Sequence, residues 1–112
     1  MNAKQREIFL VPFPFSDLRG SKIRPVLVLS KDNFNLSSED VIVCSITSNN
    51  SKDFYSVLLN NSLLEEGHLF EESTIKVENI VKIEKNKLLK KIAKINNDTF
   101  SDFLNKMFAL FR

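Results

Sequence analysis

All three prolines of this 112-residue chain, Pro12, Pro14 and Pro25, fall within one stretch, VPFPFSDLRGSKIRPVLVLS at residues 11–30. Gly20, one of only two glycines, lies in the same stretch. Proline fixes φ and offers no N–H to a ladder, so Pro12 and Pro14 are expected to end a first strand, EIFLVPF at residues 7–13. Gly20 permits a turn that most residues resist. The second apolar run, PVLVLS at 25–30, is nearly continuous and reads as a strand buried on both faces. The residue before a proline is biased away from the helical region, so Arg24 is extended and sits at the mouth of that strand, facing a polar loop. Such loop-edge positions often carry chemistry.

Beyond this stretch the chain reads as a succession of short strands. Residues 31–39 form a polar loop, 40–48 (DVIVCSITS) a third strand, 49–53 a turn and 54–59 (FYSVLL) a fourth strand. Residues 60–67 break the pattern, and 73–77 and 79–84 read as two further strands. A short helix is expected at 87–94 (KLLKKIAK), with lysines on one face and Leu88, Leu89, Ile92 and Ile95 on the other. At the end of the chain Phe100, Phe103, Leu104, Met107, Phe108 and Phe111 follow helical spacing, with Thr99 and Asp102 resembling a capping box. The expected fold is mainly β (α+β): a single domain over 1–112, a small antiparallel barrel of five to seven strands with a short helix and a C-terminal amphipathic helix.

Composition narrows the class without naming a function. The chain is 43% apolar and 27% charged, which excludes a disordered tract. No apolar run approaches the ~20 residues that span a bilayer, and no secretory signal is visible, so a soluble cytoplasmic protein is expected. The single cysteine, Cys44, has no partner for an internal disulfide and suits a buried position in a reducing compartment. A net charge of +2 is too small to indicate nucleic acid on its own.

Strand order brings two of these residues together. Strands two and three are joined by a nine-residue loop, and an antiparallel hairpin about its centre pairs residue numbers that sum to about 71. Ser30 then lies near Val41, and Arg24 near Thr47. This sets a permanent cation beside a hydroxyl pair, Thr47 and Ser48, at one end of the sheet, where the loop bearing Asp17, Arg19 and Lys22 covers it. A guanidinium fork with neighbouring hydroxyls suits a phosphate.

On these residues the chain resembles the PemK/MazF family of toxins from toxin–antitoxin pairs. The resemblance runs from about residue 7 to 95 through VPFPFSDLRGSKIRPVLVLS, VIVCSITS and STIKVENIVKIEKNKLLKKIAKI, and is most specific at the RPV start of strand two and the Thr-Ser end of strand three. It implies an SH3-like, CcdB-type barrel that forms a homodimer, binds a cognate antitoxin (and DNA as that complex), and cuts single-stranded RNA without a metal or other cofactor, leaving a 2′,3′-cyclic phosphate and a 5′-hydroxyl. The family's catalytic arginine maps to Arg24 and its threonine or serine to Thr47. Phe15, Asp17, Arg19, Lys22, Ser48 and Asn49 are the accompanying candidates for RNA contact. Some relatives carry an acidic residue where this chain has Arg19, a histidine where it has Ile23, and a glycine where it has Ala93.

The residues present constrain the chemistry. His68 is the sole histidine, so a two-histidine mechanism is excluded, and no Asp/Glu/His cluster has metal-ligand spacing. A guanidinium stabilises charge at phosphorus but keeps its proton, which leaves the proton acceptor open. Two other readings fit the same barrel: a non-catalytic binding toxin of the gyrase-poisoning kind, and an SH3-like interaction module.

Overall fold

The computed structural model describes residues 2–14, 21–48 and 53–112, with positions 13, 14 and 21 described by backbone alone. Seven antiparallel strands form one sheet: β1 (Glu7–Pro14), β2 (Ser21–Val28), β3 (Asp40–Thr47), β4 (Ser56–Leu59), β5 (Leu64–Gly67), β6 (Ser73–Glu84) and β7 (Lys90–Ile95). Their spatial order is β4-β6-β3-β2-β1-β7-β5, and the sheet curls into a half-barrel. Two α-helices accompany it, α1 (Asp32–Ser37) and α2 (Asn97–Ala109). The expected class, mainly β with up to seven strands and a C-terminal helix, is borne out.

The prolines do not end β1. The β1–β2 ladder runs from Ile8↔Leu27 to Pro14↔Ser21, so Pro12 lies opposite Ile23 and Pro25 opposite Leu10. Leu10↔Pro25, Pro12↔Ile23 and Pro14↔Ser21 are alternate rungs. The Leu10 carbonyl turns away from β2 to accept the Leu89 N–H at 2.9 Å. These rungs are therefore the non-hydrogen-bonded set, where a missing N–H removes nothing from this ladder. On their outer sides β7 covers β1 only from Glu7 to Leu10, and β3 covers β2 only from Val26 to Val28. Each proline thus sits where neither neighbouring ladder needs its donor, and β2 begins at Ser21 rather than at Pro25.

Period-two alternation divides the core between two faces of the sheet. Ile8, Leu27, Cys44, Ile46 and Ile75 face one side, where Phe100 and Phe103 of α2 cover them. Phe9, Val26, Val28, Val41 and Val43 face the other, with Ala3 and Leu88. Val26, Leu27 and Val28 are each fully buried, as expected for a central strand closed on both faces. Each such side chain contributes roughly 1.5–3 kcal/mol.

Five further expectations are corrected. The polar loop at 31–39 contains α1, and the break at 60–67 contains a 3₁₀ turn (Asn61–Leu63) and β5. The strands expected at 73–77 and 79–84 are one strand, β6, interrupted against β3 by a register shift between Cys44 and Ile46. The helix expected at 87–94 is instead a 3₁₀ turn (Lys85–Lys87) followed by β7. A helix of eight residues is marginal on its own, whereas this segment completes ladders with both β1 and β5. Its lysines pair across those ladders, Lys91 with Glu7 at 3.1 Å and with Glu66 at 2.6 Å, and Lys94 with Glu65 at 3.6 Å. Helix α2 is capped by Asn96, whose side chain accepts the Thr99 N–H at 2.8 Å, rather than by Thr99.

Candidate functional site

The β2–β3 ladder has the register expected from the sequence. Val26 pairs with Ser45, Leu27 with Cys44 and Val28 with Val43. Continuing it two residues past the last rung aligns Arg24 with Thr47, the final residue of β3. Arg24 is held from the other side by its rung with Val11 of β1, and Thr47 by its rung with Thr74 of β6. By alternation Arg24, Val26 and Val28 share one face of the sheet, so the guanidinium-bearing residue and the hydroxyl-bearing residue belong to the same face at the same end. Both are half-buried.

A cleft of about 490 Å³ opens at this end. Lys22, Ile23, Arg24 and Pro25 of β2 line one side, and Leu69, Phe70, Glu71 and Ser73 line the other. Leu10, Ile46 and Ile92 supply apolar lining from three more strands, and Ser48 lies at the end of β3. Thr47 is not part of this lining, although Ile46 and Ser48 on either side of it are. It belongs with Arg24 on the adjoining face, so Arg24 stands where that face meets the cleft. A second cavity of about 520 Å³ lies between β4 and α2 and is lined by Asp53, Asp98, Asp102 and Lys106. Its acidic excess is unsuited to a polyanion, and it holds none of the candidate catalytic or RNA-contact residues.

Of the candidate RNA-contact residues, Lys22 and Ser48 are exposed and line the cleft with Arg24. Phe15, Asp17, Arg19 and Asn49 lie outside the described residues. Phe70 and Glu71 are cleft residues that the sequence reading passed over. Their one signal was the apolar pair Leu69–Phe70 inside an otherwise polar connector.

The Phe70 segment is firmly positioned. Gly67 adopts a φ of +74°, and a Cβ there would lie 2.1 Å from the Ile92 carbonyl oxygen, so β5 can leave β7 this closely only through glycine. The Leu69 side chain is buried, and its N–H donates to Asn61 Oδ1 at 2.7 Å. The Ser73 hydroxyl donates back to the Glu71 carbonyl at 3.1 Å. His68 is exposed and meets Phe70 edge-on, with ring centroids 6.1 Å apart.

Titratable groups elsewhere have structural causes. Burial, followed by the charge of Glu78, pushes the Cys44 thiol up to about 12, and its Sγ donates to the Lys76 carbonyl. The cysteine is a buried side chain of the core, as expected. Hydrogen bonds from Lys76 and Ser56 hold the Asp53 carboxyl below its usual range. Among the described residues no group of three His, Cys, Asp or Glu side chains is arranged to hold a metal ion. None of the described helices is long and apolar enough to cross a membrane.

Comparison with known proteins gives this architecture a family. Solved structures, of which three follow, share the fold at low sequence identity. The Mycobacterium tuberculosis toxin MazF-mt6 superposes with a TM-score of 0.78 at 20% identity, covering 95% of this chain and 96% of that one. A MazE–MazF crystal structure from Deinococcus radiodurans gives 0.79 at 17% identity, covering 98% and 96%. A mycobacterial endoribonuclease in complex with its cognate antitoxin gives 0.77 at 14% identity, covering 96% and 92%. No curated protein sequence matches the chain. The family model for the PemK-like, MazF-like toxins of type II toxin–antitoxin systems matches residues 4–111, nearly the whole chain, and the protein belongs to that family.

Proposed function

We propose that this toxin is a metal-independent endoribonuclease that cleaves single-stranded RNA at preferred sequences, acts as a homodimer in the cytoplasm and is silenced by a cognate antitoxin. The observation that carries the reading is the β2–β3 register, which aligns Arg24 with Thr47 beside a cleft. In the reaction, the RNA 2′-oxygen bonds to the adjacent phosphorus and the bond from phosphorus to the 5′-oxygen breaks. The 2′-hydroxyl gives up a proton and the departing 5′-oxygen receives one, giving a 2′,3′-cyclic phosphate and a 5′-hydroxyl. Arg24 stabilises the extra negative charge that builds on the phosphoryl oxygens, and the Thr47 hydroxyl donates to one of them. Lys22 and Ser48 hold flanking phosphates. Family membership supports the antitoxin as partner, and two of the similar structures are toxin–antitoxin or endoribonuclease–antitoxin complexes.

The test is cleavage of a long single-stranded RNA by purified protein in EDTA, with the new ends mapped chemically. Fragments ending in cyclic phosphate, produced by wild type and lost in Arg24→Ala, are expected. Intact RNA, or equal cleavage by Arg24→Ala, overturns the enzyme reading in favour of a binding toxin on the same barrel.

A further inference from the structure

Phe70 is the most solvent-exposed large apolar side chain among the described residues, at 90%. A single exposed apolar side chain is ordinary by itself; this ring is distinguished by a fixed support at the edge of a cleft. Gly67, the buried Leu69 and the Ser73–Glu71 hydrogen bond fix the backbone on both sides of it, so the ring is presented outward by a rigid support. His68 packs with its ring plane nearly perpendicular to that of Phe70, and at 90% exposure the Phe70 ring stays accessible to a planar ligand.

The charges around the cleft say what kind of ligand. Lys22 and Arg24 line one side, while Glu71 lies beside Phe70 on the other. A phosphate is attracted to the first side and repelled from the second. A ligand crossing the cleft therefore turns its anionic part towards β2 and its uncharged, planar part towards Phe70. A single-stranded nucleotide has this polarity, and stacking on an aromatic ring is the usual way a protein holds an unpaired base. A cleft of about 490 Å³ is large enough for one nucleotide.

We propose that Phe70 is a stacking platform for the base that flanks the phosphate held at Arg24, and so a positioning residue for substrate. The inference rests on the RNA reading of the site and assigns that reading a base subsite. Because Arg24 stands where the sheet face meets the cleft, the strand crosses the end of the sheet with its phosphate on the Arg24–Thr47 side and the neighbouring base in the cleft. An oligonucleotide lacking bases keeps the phosphate contact and loses this one.

The chain has no tryptophan, so a Phe70→Trp variant carries one indole, at the proposed contact. Its fluorescence is expected to be quenched by a non-cleavable 2′-deoxy oligonucleotide and left nearly unchanged by an abasic oligomer of equal length. In cleavage assays Phe70→Ala and Phe70→Leu are expected to raise KM about tenfold with kcat within about twofold, and Phe70→Tyr to restore KM. Equal quenching by the abasic oligomer, no quenching at all, or a Phe70→Leu variant with wild-type KM overturns the proposal. Quenching is read without turnover, so a protein that stacks bases but leaves RNA intact retains the base subsite and loses the endoribonuclease reading.

Discussion

Thr47 and Thr74 are directly opposite each other across the β3–β6 ladder, and the Thr74 hydroxyl beneath this end of the sheet is fully buried without a hydrogen-bond partner among the described residues. Directly opposed residues project to the same face with Cβ atoms roughly 5 Å apart, so Thr74 forms part of the support under Thr47. A buried hydroxyl without a partner is destabilising. Thr74→Val keeps the shape and removes the oxygen, and should raise stability by about 1 kcal/mol, seen as a higher urea midpoint at unchanged slope. A lower midpoint would show that the hydroxyl is satisfied in solution.

Arg24 is half-buried within β2, two residues before its first rung with β3, and outside both buried clusters. Its replacement should cost activity rather than fold. Arg24→Ala is expected to slow single-turnover RNA cleavage by about 10²–10³-fold, the usual loss when one donor to a developing charge is removed. Arg24→Lys keeps the charge without the bidentate fork and should fall between the two. Thermal melting of both variants should match wild type, and a collapsed melting curve would mark the residue as structural instead.

Gly67 sits where a side chain has neither a favourable backbone nor room. Its φ of +74° is unfavourable for a residue with a Cβ, and that atom would lie 2.1 Å from the Ile92 oxygen and 2.7 Å from the Ala93 Cα. Gly67→Ala should cost about 2 kcal/mol or more, since the left-handed conformation alone costs about 1–2 kcal/mol. Because Gly67 ends β5 and sets the Phe70 segment, hydrogen exchange of the Leu69 amide should accelerate more than that of Leu27 in the central strand.

Cys44 links stability to alkaline pH. Its thiol titrates near 12 in the folded protein against an ordinary 9.0, so between these values the unfolded chain has released a proton that the folded chain retains. The contribution is fully present below about pH 9 and falls as pH rises towards 12, by up to about 1.4 kcal/mol per unit. Cys44→Ala, compared by urea denaturation at pH 8 and pH 10.5, should lose less stability between the two than wild type does. A thiol reagent at pH 8 should label the native protein only as fast as it unfolds.

Much of this molecule follows from local rules. Strands β1 to β3 are legible as apolar runs, the 3.6-residue spacing of Phe100, Phe103, Leu104 and Met107 marks α2, and a symmetric hairpin yields the β2–β3 register that aligns Arg24 with Thr47. Those features depend on a few neighbouring residues or on one loop length, which a sequence contains in full. Tertiary structure decided what depends on distant partners. Pro12 and Pro14 continue β1 because β7 stops at Leu10 and leaves their side without a ladder. Lys90–Ile95 is a strand rather than part of a helix because β1 and β5 each need a neighbour and carry acidic residues for its lysines. Phe70 faces the cleft because Gly67 and Leu69 are fixed by β7, Asn61 and the core, contacts that no pattern around residue 70 contains. Sequence periodicity reports which side of a strand or helix is apolar; only the folded sheet determines which edges are covered and which side chains meet at its end.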